Sequence, residues 1–161
     1  MDLTGEFRLP APRDAVWTAL NDPAVLGACI PGCERLEMTS PGRMETTVSF
    51  RIGPIRLRLN GVIRLENVEA PSRYTIIGEG KGGMAGFAKG SADVRLEEDG
   101  HETVVHYAVL DTEISGRIAQ FGGRLIESTI NKLATRFFDA FAAHLAAGTP
   151  TVPGVSKPAG A

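Results

Sequence analysis

The residues able to do chemistry in this chain are few and scattered. Its three histidines are His101, His106 and His144. None has a partner at the HxxE or HxxxH spacing that aligns metal ligands on one helix face. His101 follows the Asp99-Gly100 turn and should be exposed. His106 falls on the strand parity opposite Val105 and Tyr107, which places it on the outer face. His144 sits in the last turns of a helix, where a cation suits the dipole. Cys29 and Cys33 form a CxxxC pair with no companions for a zinc site, and they read as two small apolar side chains near a loop. Asp111 and Glu113 could in principle share acid–base work, but they read equally as solvated residues at a strand end. Gly80-Lys81-Gly82-Gly83 would suit a phosphate only if it ran from a strand into a helix N-terminus, and it reads as a hairpin. No GxSxG, P-loop or dinucleotide fingerprint is present. The expectation is a non-enzyme with no catalytic residue, no metal site and no cofactor of its own.

Composition narrows the classes further. With 161 residues and 43% hydrophobic content the chain suits one domain with a core that needs no staples. A net charge of −2 provides no global basic field, so nucleic acid is not an expected partner. The first residues lack the basic and apolar regions of a signal peptide. No apolar run approaches the ~20 residues that span a bilayer. The chain reads as cytoplasmic and soluble.

Periodicity then supplies the elements. Residues 2–10 alternate, with Leu3, Gly5, Phe7 and Leu9 on one parity, as in a strand with one buried face. Pro10 and Pro12 end it. A helix follows from about Arg13, with Val16, Trp17 and Leu20 on its apolar side, until Asn21-Asp22-Pro23 breaks it. A second short helix covers Ala24 to Cys29. From Cys33 to Glu113 the period is two. Met44 to Ile52, Ile55 to Leu65, a strand led by Tyr74 and Ile76, Ala88 to Glu97 and Thr103 to Glu113 are separated by short turns. Short turns between successive strands require an antiparallel meander. Ile118, Phe121, Leu125, Ile126, Ile130, Leu133, Phe137, Phe138, Phe141 and Leu145 then recur at spacings of three and four, predicting one long helix from about Arg117 to Ala146.

The fold class is therefore α+β: one strand, two short helices, six more strands and a long C-terminal helix lying across a curved sheet of about seven strands. Residues 1–146 form the domain and 147–161 a disordered tail without large apolar groups. Gly78, Gly80, Gly82, Gly83, Gly86 and Gly90 cluster in the later strands and are expected to mark bends. Trp17, Phe50, Leu57, Leu59, Phe121, Leu125 and Ile126 are the residues placed around the interior. A packed core and a cavity wall share one pattern, so both readings stand for them, with Trp17 read first as a core anchor. Arg117 and Gln120, in the first turn of the expected long helix, are candidates for polar contact with a ligand head group, or are simply surface residues.

Certain words in this order resemble a known family. They are Gly5, Val16-Trp17, Leu20-Asn21-Asp22-Pro23 and Ile30-Pro31-Gly32-Cys33-Glu34. Gly53-Pro54, Gly80-Lys81-Gly82, Gly86 to Gly90 and Thr103 to Tyr107 follow. Gly116-Arg117-Ile118-Ala119-Gln120-Phe121-Gly122 and Phe137-Phe138 complete the set. Over residues 1–146 the chain resembles the CoxG-type proteins, a family of carbon monoxide dehydrogenase subunits, within the START/polyketide-cyclase (SRPBCC, Bet v 1-like) superfamily. The resemblance implies a helix-grip fold with an internal apolar cavity. It implies an accessory role beside a molybdenum-containing hydroxylase of the carbon monoxide dehydrogenase type, with delivery of a respiratory quinone or recruitment of that enzyme to the inner face of the membrane. Other relatives on the fold act as cyclases or dehydratases, and a ligand-free assembly factor is a further alternative. Longer members carry a C-terminal extension thought to reach the membrane; this chain's tail is short and has no apolar helix.

Overall fold

The computed structural model describes residues 3–148. Of the tail expected over 147–161, Ala147 and Gly148 belong to the long helix, and the rest lies outside the described residues. Strand β1 (Thr4–Leu9) is followed by helices α1 (Arg13–Leu20) and α2 (Pro23–Cys29). Strands β2 (Cys33–Ser40), β3 (Arg43–Ile52), β4 (Ile55–Glu69), β5 (Arg73–Lys81), β6 (Phe87–Asp99) and β7 (Glu102–Ser115) come next. Helix α3 (Gly123–Gly148) closes the order. All pairs are antiparallel, in the order β1-β7-β6-β5-β4-β3-β2. The meander thus closes by bringing the first strand beside the last.

Local chemistry explains the short helices. Pro12, extended at φ −64° and ψ 155°, leads into α1, and Asp14 lies in its first turn, where a carboxylate suits the dipole. Asp22 caps α2 by accepting a hydrogen bond from Ala24 N at 2.9 Å, with Pro23 pre-set in the first turn.

The long helix differs from expectation. Residues Gly116–Phe121 form a separate 3-10 turn, and α3 begins only at Gly123. Gly122 has φ 83° and ψ 155°, outside helical space, and breaks what the periodicity reads as continuous. At its far end α3 extends to Gly148.

Gly82, Gly83 and Gly86 lie where the chain reverses between β5 and β6, but Gly78, Gly80 and Gly90 play a different part from the one expected. Gly78 pairs with Gly90, and Gly80 with Ala88, in unbroken register. The irregularities lie elsewhere: between Ser91 and Ala92 opposite β7, between Glu66 and Glu69 of β4, and at Cys33–Arg35 and Met38–Ser40 of β2. The bends belong to bulges, which add a residue to one strand and raise its twist.

Side chains fill the interior at its two ends. At one end Leu9, Val16, Leu20, Val25, Cys29, Leu96, Val105, Phe141 and Leu145 form a solid cluster. Phe7 stacks on Phe138 at 4.4 Å between ring centres, and Trp17 meets Tyr74 edge-on at 5.4 Å. Gly5 is required here, because a Cβ would overlap the Tyr107 ring that lies across it. Thr103, fully buried, donates to Ala11 O at 2.8 Å and ties β7 to the segment leaving β1. At the other end Ile52, Leu57, Leu59, Ala85, Ile118 and Ile126 form a second cluster, with Phe50 and Phe121 against it.

The loop Ile30-Pro31-Gly32-Cys33-Glu34 is pinned to β3. Gly32 has φ +75°, a Cβ on it would overlap Ser49 O, and its own O accepts from Ser49 N at 2.9 Å. Glu34 accepts from Arg58 Nη2 at 2.9 Å, from Arg58 Nε at 3.0 Å and from Ser49 Oγ. The Arg58 bonds first, and the Ser49 bond second, hold the Glu34 carboxyl below its ordinary 4.5.

Two outcomes follow from these contacts. Phe141→Ala removes a side chain with no exposed surface and should cost about 3–5 kcal/mol, read from urea unfolding. Glu34 has a lowered native pKa, so its contribution is whole above 4.5 and is lost as pH falls through the native value. Urea midpoints should therefore fall more steeply with acid below that range for the wild type than for Glu34→Gln. Parallel slopes would show that the Glu34 clamp adds nothing.

Candidate functional site

Between the two packed ends lies a stretch of sheet with little on it. In the central register Ile63 faces Gly78, Gly78 faces Gly90 and Gly90 faces Thr112. One residue pair further along, Thr46, Gly61, Gly80, Ala88 and Ile114 share the same face. A Cβ built on Gly78 meets nothing within 4 Å. Gly61 and Gly80 are tighter, since a Cβ would come within 2.9 Å of Glu79 O and 3.4 Å of the Leu59 side chain respectively. Two glycines that only just fit and one that faces open space leave a floor of bare main chain.

Helix α3 does not fill this space. Its nearest backbone neighbours are α2, β3, β1 and the Gly116–Phe121 turn, so it rests on the margins of the sheet. Ile130 of α3 and Ile30, just after α2, face the glycine floor from above. The result is a pocket of about 330 Å³ whose walls are almost wholly apolar: Val48, Leu59, Ile63, Ala88, Ile114, Ile30 and Ile130 over the glycines. That volume lies in the range of small-molecule sites. Thr46 and Thr112 are the hydroxyl side chains along it. Thr46 is occupied, donating to Arg35 O at 2.7 Å.

A second concavity, of about 730 Å³, has a separate lining. It runs between α3 and the margin of β3. Pro31, Phe50, Leu125 and Leu133 supply its apolar surface, and Arg51, Arg56, Lys132 and Arg136 its charge.

The residues singled out from sequence are distributed across these features. Leu59 walls the apolar pocket. Phe50 and Leu125 line the charged cleft. Leu57, Phe121 and Ile126 belong to the packed end cluster. Trp17 packs at the opposite end, against Tyr74. Arg117 and Gln120 are exposed on the Gly116–Phe121 turn, ahead of α3 and not in its first turn. The pocket-lining residues that sequence reasoning misses are mostly glycines, Ile30, Ile63 and Ile130. The glycine cluster is the available signal, and from sequence it reads as curvature.

The chemistry-bearing residues stay dispersed. His106 Nε2 lies 2.7 Å from Glu97 Oε1 and its Nδ1 3.4 Å from Glu6 Oε1, on the outer face. His101 and His144 are exposed, as are Asp111 and Glu113. The Gly80–Gly83 segment joins β5 to β6 through a short 3-10 turn. Cys29 is buried, which raises its thiol pKa, Cys33 is half-buried, and both are free. Among the described residues, no group of three or more His, Cys, Asp or Glu could hold a metal, and no helix is long and apolar enough to cross a membrane.

Known proteins place this geometry. A conserved protein from Geobacillus kaustophilus is 24% identical, with a TM-score of 0.85 over 91% of this chain and 96% of that one. A START superfamily protein from Mycobacterium smegmatis shares 10% identity at a TM-score of 0.71, covering 92% and 99%. The Zhui aromatase/cyclase from Streptomyces sp. R1128 shares 19% at 0.61, covering 92% and 98%. These likenesses establish the START-like helix-grip fold. No curated protein matches the chain significantly. The family model for CoxG, a carbon monoxide dehydrogenase subunit, matches residues 5–146, and the chain belongs to that family.

Proposed function

We propose that the protein is a non-catalytic carrier that holds an apolar ring-and-tail molecule, a respiratory quinone, in the glycine-floored pocket. It does so as an accessory to a molybdenum-containing dehydrogenase of the carbon monoxide dehydrogenase type. The observation that carries the reading is the open space above Gly78 in a pocket walled by apolar side chains. Such a pocket gains affinity by desolvating its ligand, at ~25 cal/mol per Å² of apolar area buried. The family's name supports the partner class. On this reading the carrier works in the cytoplasm at the inner face of the membrane, where quinones reside, by peripheral contact.

An enzyme on this fold is the second reading, since one structural neighbour is an aromatase/cyclase. Acid–base chemistry in the pocket would draw on a titratable side chain with a displaced pKa. The displaced groups here are Arg8, Cys29, Glu34, Arg58, Tyr74 and Tyr107, and none of them lines the pocket, while the titratable residues along it, Glu79 and Lys89, alternate with the floor glycines and so belong to the opposite face of the sheet. That favours holding over bond-breaking.

Titration with a short-chain ubiquinone tests the proposal, read by quenching of Trp17, the sole tryptophan, and by thermal shift. Saturable quenching with a raised Tm is expected. Gly78→Leu should fill the open space and weaken binding by at least about tenfold while the apo protein keeps its Tm. No quench and no shift at saturating quinone would remove the carrier reading.

A further inference from the structure

The charged cleft beside the pocket has a partner chemistry of its own. Its two banks carry cations: Arg51 and Arg56 from the β3–β4 hairpin, Lys132 and Arg136 from α3. Arg51, Lys132 and Arg136 have no ion-pair partner among the described residues. The carboxylate in the lining is Glu34, and it is already held by Arg58 and Ser49. Glu34 also acts on Arg56, so four cations share the cleft with one carboxylate and the field between the banks is positive in excess, in a protein whose net charge is −2. That local excess is placed, not a by-product of a basic chain.

Shape adds a second constraint. The cleft follows α3 from Leu125 to Arg136, about 16 Å at the rise of a helix. That exceeds what one small anion occupies. The sheet margin beneath it is also open. Pairing of β2 with β3 ends at Cys33 and Val48, and Ser49 N donates to Gly32 O on that side. By the alternation of an antiparallel ladder, the N–H and C=O of Arg51 point to the same side, past the end of β2. Unpaired main-chain groups at a sheet margin accept an added extended segment.

We infer that this cleft docks an extended acidic segment of a partner protein. Its backbone lies along β3 at Arg51, its carboxylates lie between the arginine and lysine banks, and its apolar side chains meet Phe50 and Leu125. The inference goes beyond the carrier reading and does not depend on what fills the apolar pocket.

The test is fluorescence polarisation of the full chain with a short fluorescein-labelled peptide alternating Glu and Val, against a Lys/Val counterpart. The Glu/Val peptide should bind, more weakly as salt rises, and the Lys/Val peptide should not. Arg51→Glu with Arg136→Glu should weaken Glu/Val binding by about tenfold or more. If that double variant loses its circular dichroism spectrum, Arg51→Gln with Arg136→Gln replaces it, with the same direction expected. Gly78→Leu should leave peptide binding unchanged, and the double variant should still take up the quinone, so each proposal can fail alone. Equal binding of the two peptides, or an unchanged affinity in the folded charge variant, overturns the inference. So does displacement of the peptide by low concentrations of inorganic diphosphate or of phosphatidylglycerol vesicles, which would make the occupant a free anion or a lipid headgroup.

Discussion

A strip of main chain without side chains governs this molecule. Where Gly78 pairs with Gly90, the sheet offers α3 nothing to rest on. A helix and a sheet normally close on one another until their side chains interdigitate at organic-crystal density. Here the helix is held at two points instead. Phe137, Phe138 and Phe141 anchor it at one end against α1 and β1, and Ile126 anchors it at the other among Leu57, Leu59 and Ile118. The span between those anchors is bridged by Ile130 above bare glycine. The hollow follows from the distribution of side-chain volume along the sheet.

The same economy explains why stability and binding reside in different parts of the domain. The clusters at the ends are solid and hold the largest buried side chains, Phe141 among them. The centre adds little packing, so it can be left open without unfolding the rest. Continuous paired register runs through the glycines of that floor. Bulges beside it, at Ser91–Ala92, supply the curvature that wraps the sheet around α3.

The turn words have equally local causes. Gly32 is a glycine because its φ is positive and Ser49 O occupies the place of a Cβ. Glu34 is acidic because Arg58 and Ser49 converge on it. Gly86 and Gly116 lie against one another at positive φ, since a Cβ on Gly86 would overlap Ser115 O and one on Gly116 would overlap the Gly86 main chain. These contacts fix the loops at both ends of the helix–sheet sandwich.

Element types, their order and the antiparallel meander were legible in the sequence, because periods of two and of three to four report which face is apolar. The break at Gly122 was not, since apolar spacing carries across a residue whose backbone leaves helical space. The candidate site was legible only in part. Leu57, Leu59 and Ile126 read alike as interior and all three pack in one end cluster, but of them Leu59 also borders the pocket. One-dimensional pattern says that a residue faces inward, not whether anything meets it there. The glycines show the limit most clearly: Gly61, Gly78 and Gly80 look alike in sequence. Only the fold shows that a neighbouring strand crowds Gly61, that the Leu59 side chain bounds Gly80, and that Gly78 faces empty space. Which atoms approach across strands depends on register and on where α3 is anchored, and both are set by contacts between residues far apart in the chain.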